Sequence, residues 1–245
     1  MSVPIVSSVE TNKELKYEIH AFNLRYRKQG GRDPRRNLMN LKKLKELEKS
    51  FLKKHPGGFD NPFFVEIAKK HKMRQMVELT RSSFGKASFK NPAEVVENYS
   101  KIVTRSSMVS LFEKPRFRDY SRALSPADKK TLATGLEKML HGAQKQGFEM
   151  MLEILEKGKL AKWSLITIVP AYYKPDREVF VKPTTAKGII DILSLENLEY
   201  KPRPSWTFYQ EYRKQIDAMK TKVNKNLSPS NAAFSGFLMM CMNKK

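Results

Sequence analysis

Apolar residues recur at helical spacing along most of this chain. Residues 10–28 place an apolar side chain at every third or fourth position, which predicts a first helix. From Pro34 to Lys54, leucines and Phe51 form one face while lysines cover the others, which predicts a second, amphipathic helix. Paired glycines and a proline separate the two segments and interrupt the pattern.

Proline and asparagine residues mark the starts of two further helices. Pro62 suits the first turn of a third helix, which we expect to extend to about Ser83. Asn91 followed by Pro92 predicts the start of a fourth. Residues 112–126, rich in arginine and aromatic residues, contain an internal proline and are predicted to be a connection.

The middle of the chain carries the best-defined helix start. Ser125 is a suitable cap, Pro126 occupies the first helical position, and a carboxylate follows in the first turn. The apolar stripe that follows ends near Gly158, which suits a C-terminal cap. Gly142 or Gly147 is expected to divide this long segment into two helices.

A short apolar run at residues 163–169 changes the pattern. It is uncharged and enriched in β-branched residues, which predicts a buried strand, and residues 178–181 are its expected partner. The fold class is therefore mainly α, multi-helical, with one small β element. We expect residues 1–245 to form one helical domain. The alternative is a division near 115–125 into a basic N-terminal part and a C-terminal part that contains the β element. The remaining helices are predicted at 185–193, 206–223 and 232–242.

Composition then narrows the class of protein. With 245 residues, 40% hydrophobic and 29% charged, the chain has the profile of a globular protein. No apolar run is long enough for a transmembrane helix, and the N-terminus lacks the features of a secretory signal. The single cysteine, Cys241, lies in an apolar segment where a buried thiol is expected. These features predict a cytoplasmic protein.

Positive charge is the strongest global feature. The formal net charge is +22, and the sequence pI is about 10.0. The excess is spread evenly, at +7 for residues 1–60, +8 for 61–130 and +7 for 131–245. The densest block is Arg25 to Lys54, with 12 basic residues and three acidic ones. Such a field attracts polyanions, so nucleic acid is the expected partner.

Motifs for metals, cofactors and nucleophilic catalysis are absent from the sequence. The four histidines are scattered, and neither a phosphate-binding loop nor a nucleophile elbow is present. We therefore expect no metal and no cofactor. Asp176, Glu178 and Lys182 suggest a metal-dependent nuclease, but the lysine lies four residues after the glutamate, not at the two-residue spacing of the restriction-type pattern. A helical DNA glycosylase would need a catalytic acid. Asp191 is the one residue that fits this role, and it fits loosely.

Binding chemistry is better represented than catalysis. Arginines and lysines interleave with aromatic rings, as in proteins that hold phosphates with cations and stack rings on bases. Lys182, Thr184, Thr185 and Lys187 form the best candidate for a phosphate clamp, at a predicted helix start. The other candidate contacts are Arg25, Arg27, Lys28, Arg32, Arg35, Arg36, Lys42, Lys43, Arg116, Arg118, Arg122, Tyr172, Tyr173 and Lys174.

These features predict a non-catalytic nucleic-acid-binding protein. It would engage the phosphate backbone through basic helices and loops, with weak sequence specificity. One alternative is a nucleic-acid-processing enzyme, either a metal-dependent nuclease or a glycosylase-like protein. The other is an interaction subunit whose basic surface binds an acidic protein.

Overall fold

The computed structural model describes residues 34–242, with side chains from residue 41 onward. Its contacts divide the chain into two units, 1–43 and 44–245. Because the described part of the first unit is only the start of one helix, the account below concerns residues 44–242. The prediction of one domain with a division near 115–125 stays a prediction.

Residues 34–242 are mainly helical, as predicted, and contain no β-strand. Eleven α-helices follow one another, with short 3₁₀ segments at Gly58–Asp60, Lys86–Lys90 and Lys225–Leu227. None of the helices in this range combines the length and the apolar character that a membrane crossing requires. The helices are α1 (Pro34–Lys54), α2 (Pro62–Lys70), α3 (Met73–Ser83), α4 (Pro92–Arg105), α5 (Glu113–Ala123), α6 (Pro126–His141), α7 (Gln144–Lys157), α8 (Trp163–Tyr173), α9 (Pro183–Leu193), α10 (Trp206–Lys220) and α11 (Asn231–Met242).

The strand predicted at 163–169 is wrong: these residues form the first two turns of α8. Every residue from Trp163 to Tyr172 is buried, so α8 is apolar around its whole circumference. A short run that is buried on all sides has no amphipathic period, and β-branched content alone does not separate a strand from a central helix. The Tyr99 hydroxyl donates to the Leu165 carbonyl at 2.6 Å, which joins α4 to α8.

The strand predicted at 178–181 as the partner of residues 163–169 is also absent. Residues 178–181 are irregular and run beside α8, where the Val181 N–H donates to the Thr167 hydroxyl at 3.1 Å. Val179 and Val181 are fully buried and alternate with the half-buried Phe180. The segment is therefore buried on alternate residues, as a strand would be, but its hydrogen bond is to a helix and not to a second strand.

The connection predicted at 112–126 is also wrong, because residues 113–123 form α5. Pro115 lies in the first turn of this helix, where backbone N–H groups have no intrahelical acceptor in any case. Phe117 and Ser121 turn one face of α5 into the core. The predicted third helix is interrupted as well, since Lys72 adopts φ 52° and separates α2 from α3.

Helices α6 and α7 pack closely where Gly147 of α7 meets Gly135 of α6. Gly142 and Ala143 separate the two helices, as the sequence predicted for this region. A Cβ atom at Gly147 would lie 2.4 Å from the Met139 nitrogen and 2.5 Å from the Gly135 oxygen. The backbones therefore approach each other more closely than any larger residue at position 147 would permit.

The cap at Asn91 confirms the predicted start of α4. Its side-chain oxygen accepts from the Ala93 N–H at 3.2 Å and the Glu94 N–H at 3.4 Å. We expect Asn91→Ala to lower the free energy of unfolding by about 1 kcal/mol, because these first-turn donors lose their acceptor. Chemical denaturation checks this, with Asn91→Asp as the control that keeps an acceptor. Equal stability of the two variants would contradict a capping role.

Candidate nucleic-acid interface

Helix α5 presents arginines to solvent because its apolar residues occupy the opposite face. Arg116, Arg118 and Arg122 are all exposed. Arg118 and Arg122 are four residues apart and share one face, whereas Arg116 lies on the adjacent exposed face. Arg118 pairs with its exposed neighbour Asp119 at 2.9 Å. Within residues 41–242, Arg116 and Arg122 form no ion pair.

The segment before α5 is held in place by hydroxyl groups. The Ser106 and Tyr172 hydroxyls lie 2.9 Å apart in the interior, and Ser106 Oγ also accepts from the Met108 N–H at 3.1 Å. At the other end, the Ser164 hydroxyl donates to the Glu113 carboxylate at 2.6 Å. The chain between these anchors therefore has a defined conformation.

The corner between α2 and α3 lies against this same segment. His71 Nδ1 and Ser107 Oγ are 3.0 Å apart, and this bond brings the corner next to the end of α4. Lys70 and Lys72 flank His71 and are exposed, as is Arg105 in the last turn of α4. Within residues 41–242, none of these three cations forms an ion pair. The corner thus adds positive charge beside α5.

The helix predicted at 185–193 is present as α9 and begins two residues earlier. The helix begins at Pro183, with Lys182 as the N-terminal cap residue and no side-chain cap hydrogen bond. Thr184 is exposed, whereas Thr185 is buried. The first backbone N–H groups of a helix have no intrahelical acceptor. Lys182 and Lys187 are exposed on either side, and Lys187 Nζ lies 5.0 Å from the centre of the Tyr200 ring.

Two of the three candidate contacts at the end of α8 have structural roles. Tyr172 is buried, and its hydroxyl bonds to Ser106, so its ring has no free face for a base. Burial raises the pKa of the Tyr172 hydroxyl, which stays protonated. Lys174 Nζ donates to the Leu140 carbonyl. Tyr173 is half-buried and its ring meets His141 edge-on at 5.3 Å. We therefore do not propose Tyr172, Tyr173 or Lys174 as a residue that stacks on a base.

Half of the basic residues in the block Arg25–Lys54 lie where no side chain is described. Arg25, Arg27, Lys28 and Arg32 lie outside the described residues. Arg35 and Arg36 lie in α1, in a part of the helix for which the structure describes the backbone but not the side chains. Lys42 and Lys43 are exposed. Their predicted role in binding stays a prediction.

Glu178, the buried member of the candidate catalytic group, is enclosed by three hydrogen-bond donors. Its side chain is 4% exposed. Oε2 accepts from the Tyr209 hydroxyl at 2.7 Å and from Arg213 Nη1 at 2.8 Å. Oε1 accepts from Gln144 Nε2 at 2.7 Å. Burial, together with the Glu178 carboxylate, raises the pKa of Tyr209 well above its usual range, so its hydroxyl stays a donor.

The turn that leads to Glu178 is held by two further hydrogen bonds. The Asn231 N–H donates to the Pro175 carbonyl at 2.8 Å, and Lys220 Nζ donates to the Asp176 carbonyl at 3.2 Å. Residues from α7, α10 and α11 therefore converge on residues 174–178 and hold them in one conformation. The Glu178 carboxylate is therefore buried and bonded through both oxygens to structural partners.

The other candidate catalytic residues do not join Glu178. Asp176, Lys182 and Asp191 are exposed, and none of them bonds to the Glu178 carboxylate. Across the part of the chain that the structure describes, no three acidic, histidine or cysteine side chains converge as metal ligands would. The carboxylate pair that a metal-dependent nuclease needs is therefore not assembled from these residues.

Several residues of this surface were missed by the sequence-based prediction. Lys70, Lys72 and Arg105 were not selected because only the fold brings the α2–α3 corner to the end of α4. Phe112 was placed at the start of the predicted connection at 112–126 and Leu111 in no predicted element, yet both are highly exposed. Their signal in the sequence is an adjacent apolar pair with no apolar residue three or four positions later.

Comparison of the whole chain with family models, curated proteins and solved structures gives no significant match. The functional argument therefore rests on the chain's own residues.

Proposed function

We propose that this protein binds nucleic acid through its phosphate backbone, with weak sequence specificity and without catalysing a reaction. The observation that carries the proposal is unpaired positive charge on the surface. Arg105, Arg116 and Arg122 are exposed and form no ion pair within residues 41–242. A polyanion neutralises such charges and releases its own bound counterions, which favours association.

The acidic residues of this region do not cancel these cations. Asp119 pairs with Arg118, and Glu113 accepts from Ser164. Beside the corner, Glu66 pairs with Lys69 and Glu78 pairs with Arg74. Glu66, Glu78 and Asp119 are thus ion-paired with other cations, and Glu113 is hydrogen-bonded to a neutral serine. The exposed cations Arg105, Arg116 and Arg122 of this region therefore stay separate from its acidic residues, which suits phosphates along a strand.

The start of α9 supports a second phosphate contact. Unpaired backbone N–H groups, the positive end of the helix dipole and two exposed lysines favour an anion at this position. Such contacts involve the backbone of the nucleic acid and not its bases. They supply affinity without reading sequence.

The absence of catalysis is proposed from the state of the candidate acids. A general acid, general base or metal ligand needs oxygens that are open to substrate or metal. The Glu178 oxygens are occupied by Gln144, Tyr209 and Arg213. Asp176 and Asp191 are exposed and stand apart from it. Cleavage or base release by the purified protein, with Mg²⁺ or Mn²⁺ supplied, would contradict this part of the proposal.

Salt dependence tests the binding mode. We expect affinity for a labelled oligonucleotide to fall by about a thousandfold or more between about 50 and 200 mM salt, as for proteins that make six or more phosphate contacts. Fluorescence anisotropy at several salt concentrations gives the slope. A flat slope would overturn the proposal, as would co-purification of an acidic protein that survives nuclease treatment.

A double variant tests the assignment of α5. Arg116→Gln with Arg122→Gln should reduce the magnitude of the salt slope by about two, because each lost phosphate contact removes about one unit. The loss should be similar for unrelated sequences. Lys90→Gln is the matched control, since Lys90 is exposed, lies outside the proposed surface and forms no ion pair within residues 41–242. Equal effects of the α5 double variant and the Lys90 control would remove α5 from the interface.

A further inference from the structure

Two large apolar side chains project from the turn that precedes α5. Leu111 is 78% exposed and Phe112 is 85% exposed, the highest values among the large hydrophobic residues of the described chain that are exposed. We call these two residues the apolar tip. Exposing them to water is unfavourable, and the core beside them buries Phe117 completely. An aromatic ring kept in solvent on a structured turn marks a surface that contacts something else.

The apolar tip is presented in a fixed geometry. The Phe112 N–H donates to Ser110 Oγ at 3.3 Å, and the Glu113 N–H donates to the Ser110 carbonyl at 3.1 Å. Val109 next to the turn is 4% exposed, and Ser106 is fixed to Tyr172. The backbone that carries the Phe112 ring is therefore fixed before any partner arrives, which reduces the backbone entropy lost on binding.

Cations lie in the segments next to the apolar tip, which favours an anionic partner. Phe112 has helical backbone angles (φ −76°, ψ −27°), so Arg116, four residues later, lies on the same side of α5. Arg105, in the last turn of α4, precedes the turn. The bond between His71 and Ser107 places Lys70 and Lys72 beside the segment that leads into the turn. None of these four cations forms an ion pair within residues 41–242. Glu113, the nearest acid in sequence, already accepts from Ser164.

An exposed aromatic ring flanked by cations that form no ion pair is the arrangement that holds the bases of a single strand. Single-stranded nucleic acid is bound by cations along its phosphates and by aromatic rings that stack on successive bases. In a duplex, both faces of each base are already stacked on neighbours, so a ring on a projecting turn gains no stacking. The even spread of charge along the sequence also favours a long polyanion over one flat anionic surface.

We propose that Phe112 stacks on an unpaired base and that this protein therefore prefers single-stranded to double-stranded nucleic acid. The inference rests on the proposed function, because stacking adds to phosphate binding and does not replace it. Arg105 and Arg116 contact the phosphates on either side of that base. Leu111 covers the edge of the stacked ring.

The test compares Phe112→Ala, Phe112→Trp and Phe63→Ala on two probes. The probes are a fluorescent oligothymidylate of about 20 nucleotides, which exceeds the footprint of one stacking site, and a duplex of the same length. We expect Phe112→Ala to weaken single-strand binding about fivefold or more and to leave duplex binding unchanged. Phe112→Trp should keep single-strand affinity, and oligothymidylate should quench the added tryptophan. Phe63 is the control, since it is 58% exposed on another helix, and Phe63→Ala should change neither affinity.

Each other outcome overturns the inference in a distinct way. If wild-type protein binds neither probe, the proposed function fails and this inference fails with it. If wild-type protein binds both probes and Phe112→Ala binds the single strand as tightly, stacking fails while the proposed function stands. The same holds if Phe112→Ala weakens both probes equally. Binding to phosphatidylserine vesicles that is lost in Phe112→Ala, with single-strand affinity kept, would assign the apolar tip to a membrane surface.

Discussion

The Arg213→Met variant is expected to lose about 3 kcal/mol of unfolding free energy, the largest effect of any single side chain considered. Among the described residues, Arg213 is the one cation that pairs with Glu178, and the two side chains are 19% and 4% exposed. Removing it leaves a carboxylate in the interior with only the neutral donors of Tyr209 and Gln144. Methionine keeps much of the side-chain volume, so the loss reports the missing charge and not a cavity.

Urea denaturation of Arg213→Met and of two comparison variants measures this effect. Lys214→Met, on the same helix, removes a 68% exposed lysine that lies 3.5 Å from Glu211, and its expected cost is below about 1 kcal/mol. Adding Glu178→Gln to Arg213→Met should restore part of the loss, because the buried charge is then gone. If Arg213→Met and Lys214→Met prove equally stable, Arg213 is not needed to compensate Glu178.

The Gly147→Ala variant is expected to be destabilised by about 2 kcal/mol, although the substitution improves helix propensity. Alanine in a helix interior is favoured over glycine by about 1 kcal/mol. Here the added methyl group would lie 2.4 Å from the Met139 nitrogen and 2.5 Å from the Gly135 oxygen. These are backbone atoms of α6, so relief requires the two helices to separate, and forced overpacking costs about 1–3 kcal/mol or more.

A second glycine gives the matched control. Gly85 has φ −61° and ψ 155°, angles that any residue adopts, and its added methyl group would lie no closer than 4.0 Å to another side chain. Gly85→Ala is therefore expected to be neutral or stabilising by up to about 1 kcal/mol. On thermal denaturation, Gly147→Ala should have a lower midpoint temperature than the wild type, and Gly85→Ala should have an equal or higher one. A stabilised Gly147→Ala would show that α6 and α7 separate without cost.

Helix starts and ends were predictable because they depend on local chemistry. Asn91 and Ser125 act as caps, Pro62 and Pro126 occupy first turns, and the predicted bounds of α1 agree with those observed. Cys241 is buried, as its apolar surroundings predicted. These signals require only a few neighbouring residues, so one sequence suffices to recognise them.

The wrong predictions concern features that tertiary packing decides. The β-branched run of α8 is helical because ten consecutive residues are enclosed by other helices, a circumstance that no short window reveals. Helix α5 tolerates Pro115 because the proline lies in the first turn. The corner at Lys72 depends on one left-handed backbone conformation.

The partners of Glu178 and the position of the α2–α3 corner could not be predicted from the sequence for the same reason. Glu178 was recognised as unusual, but its partners Gln144, Tyr209 and Arg213 lie 31 to 35 residues away along the chain. The pairing of the α2–α3 corner with the turn before α5 joins His71 to Ser107, 36 residues apart. Contacts at such separations follow from the fold and not from local spacing. The arginines of α5 were found because clustered charge is visible in the sequence itself.

The contact between α1 and α11 has a consequence for how the protein is made. Phe51 meets Phe237 edge-on at 5.1 Å, and Cys241 Sγ lies 3.8 Å from the Leu47 carbonyl, a pair separated by 194 residues. During synthesis on the ribosome, the apolar face of α1 must wait for almost the whole chain before its final partner emerges. Helices α4 to α7 are neighbours in sequence and can pack early, whereas the contact of α1 with α11 closes a much longer loop and is expected to form after them.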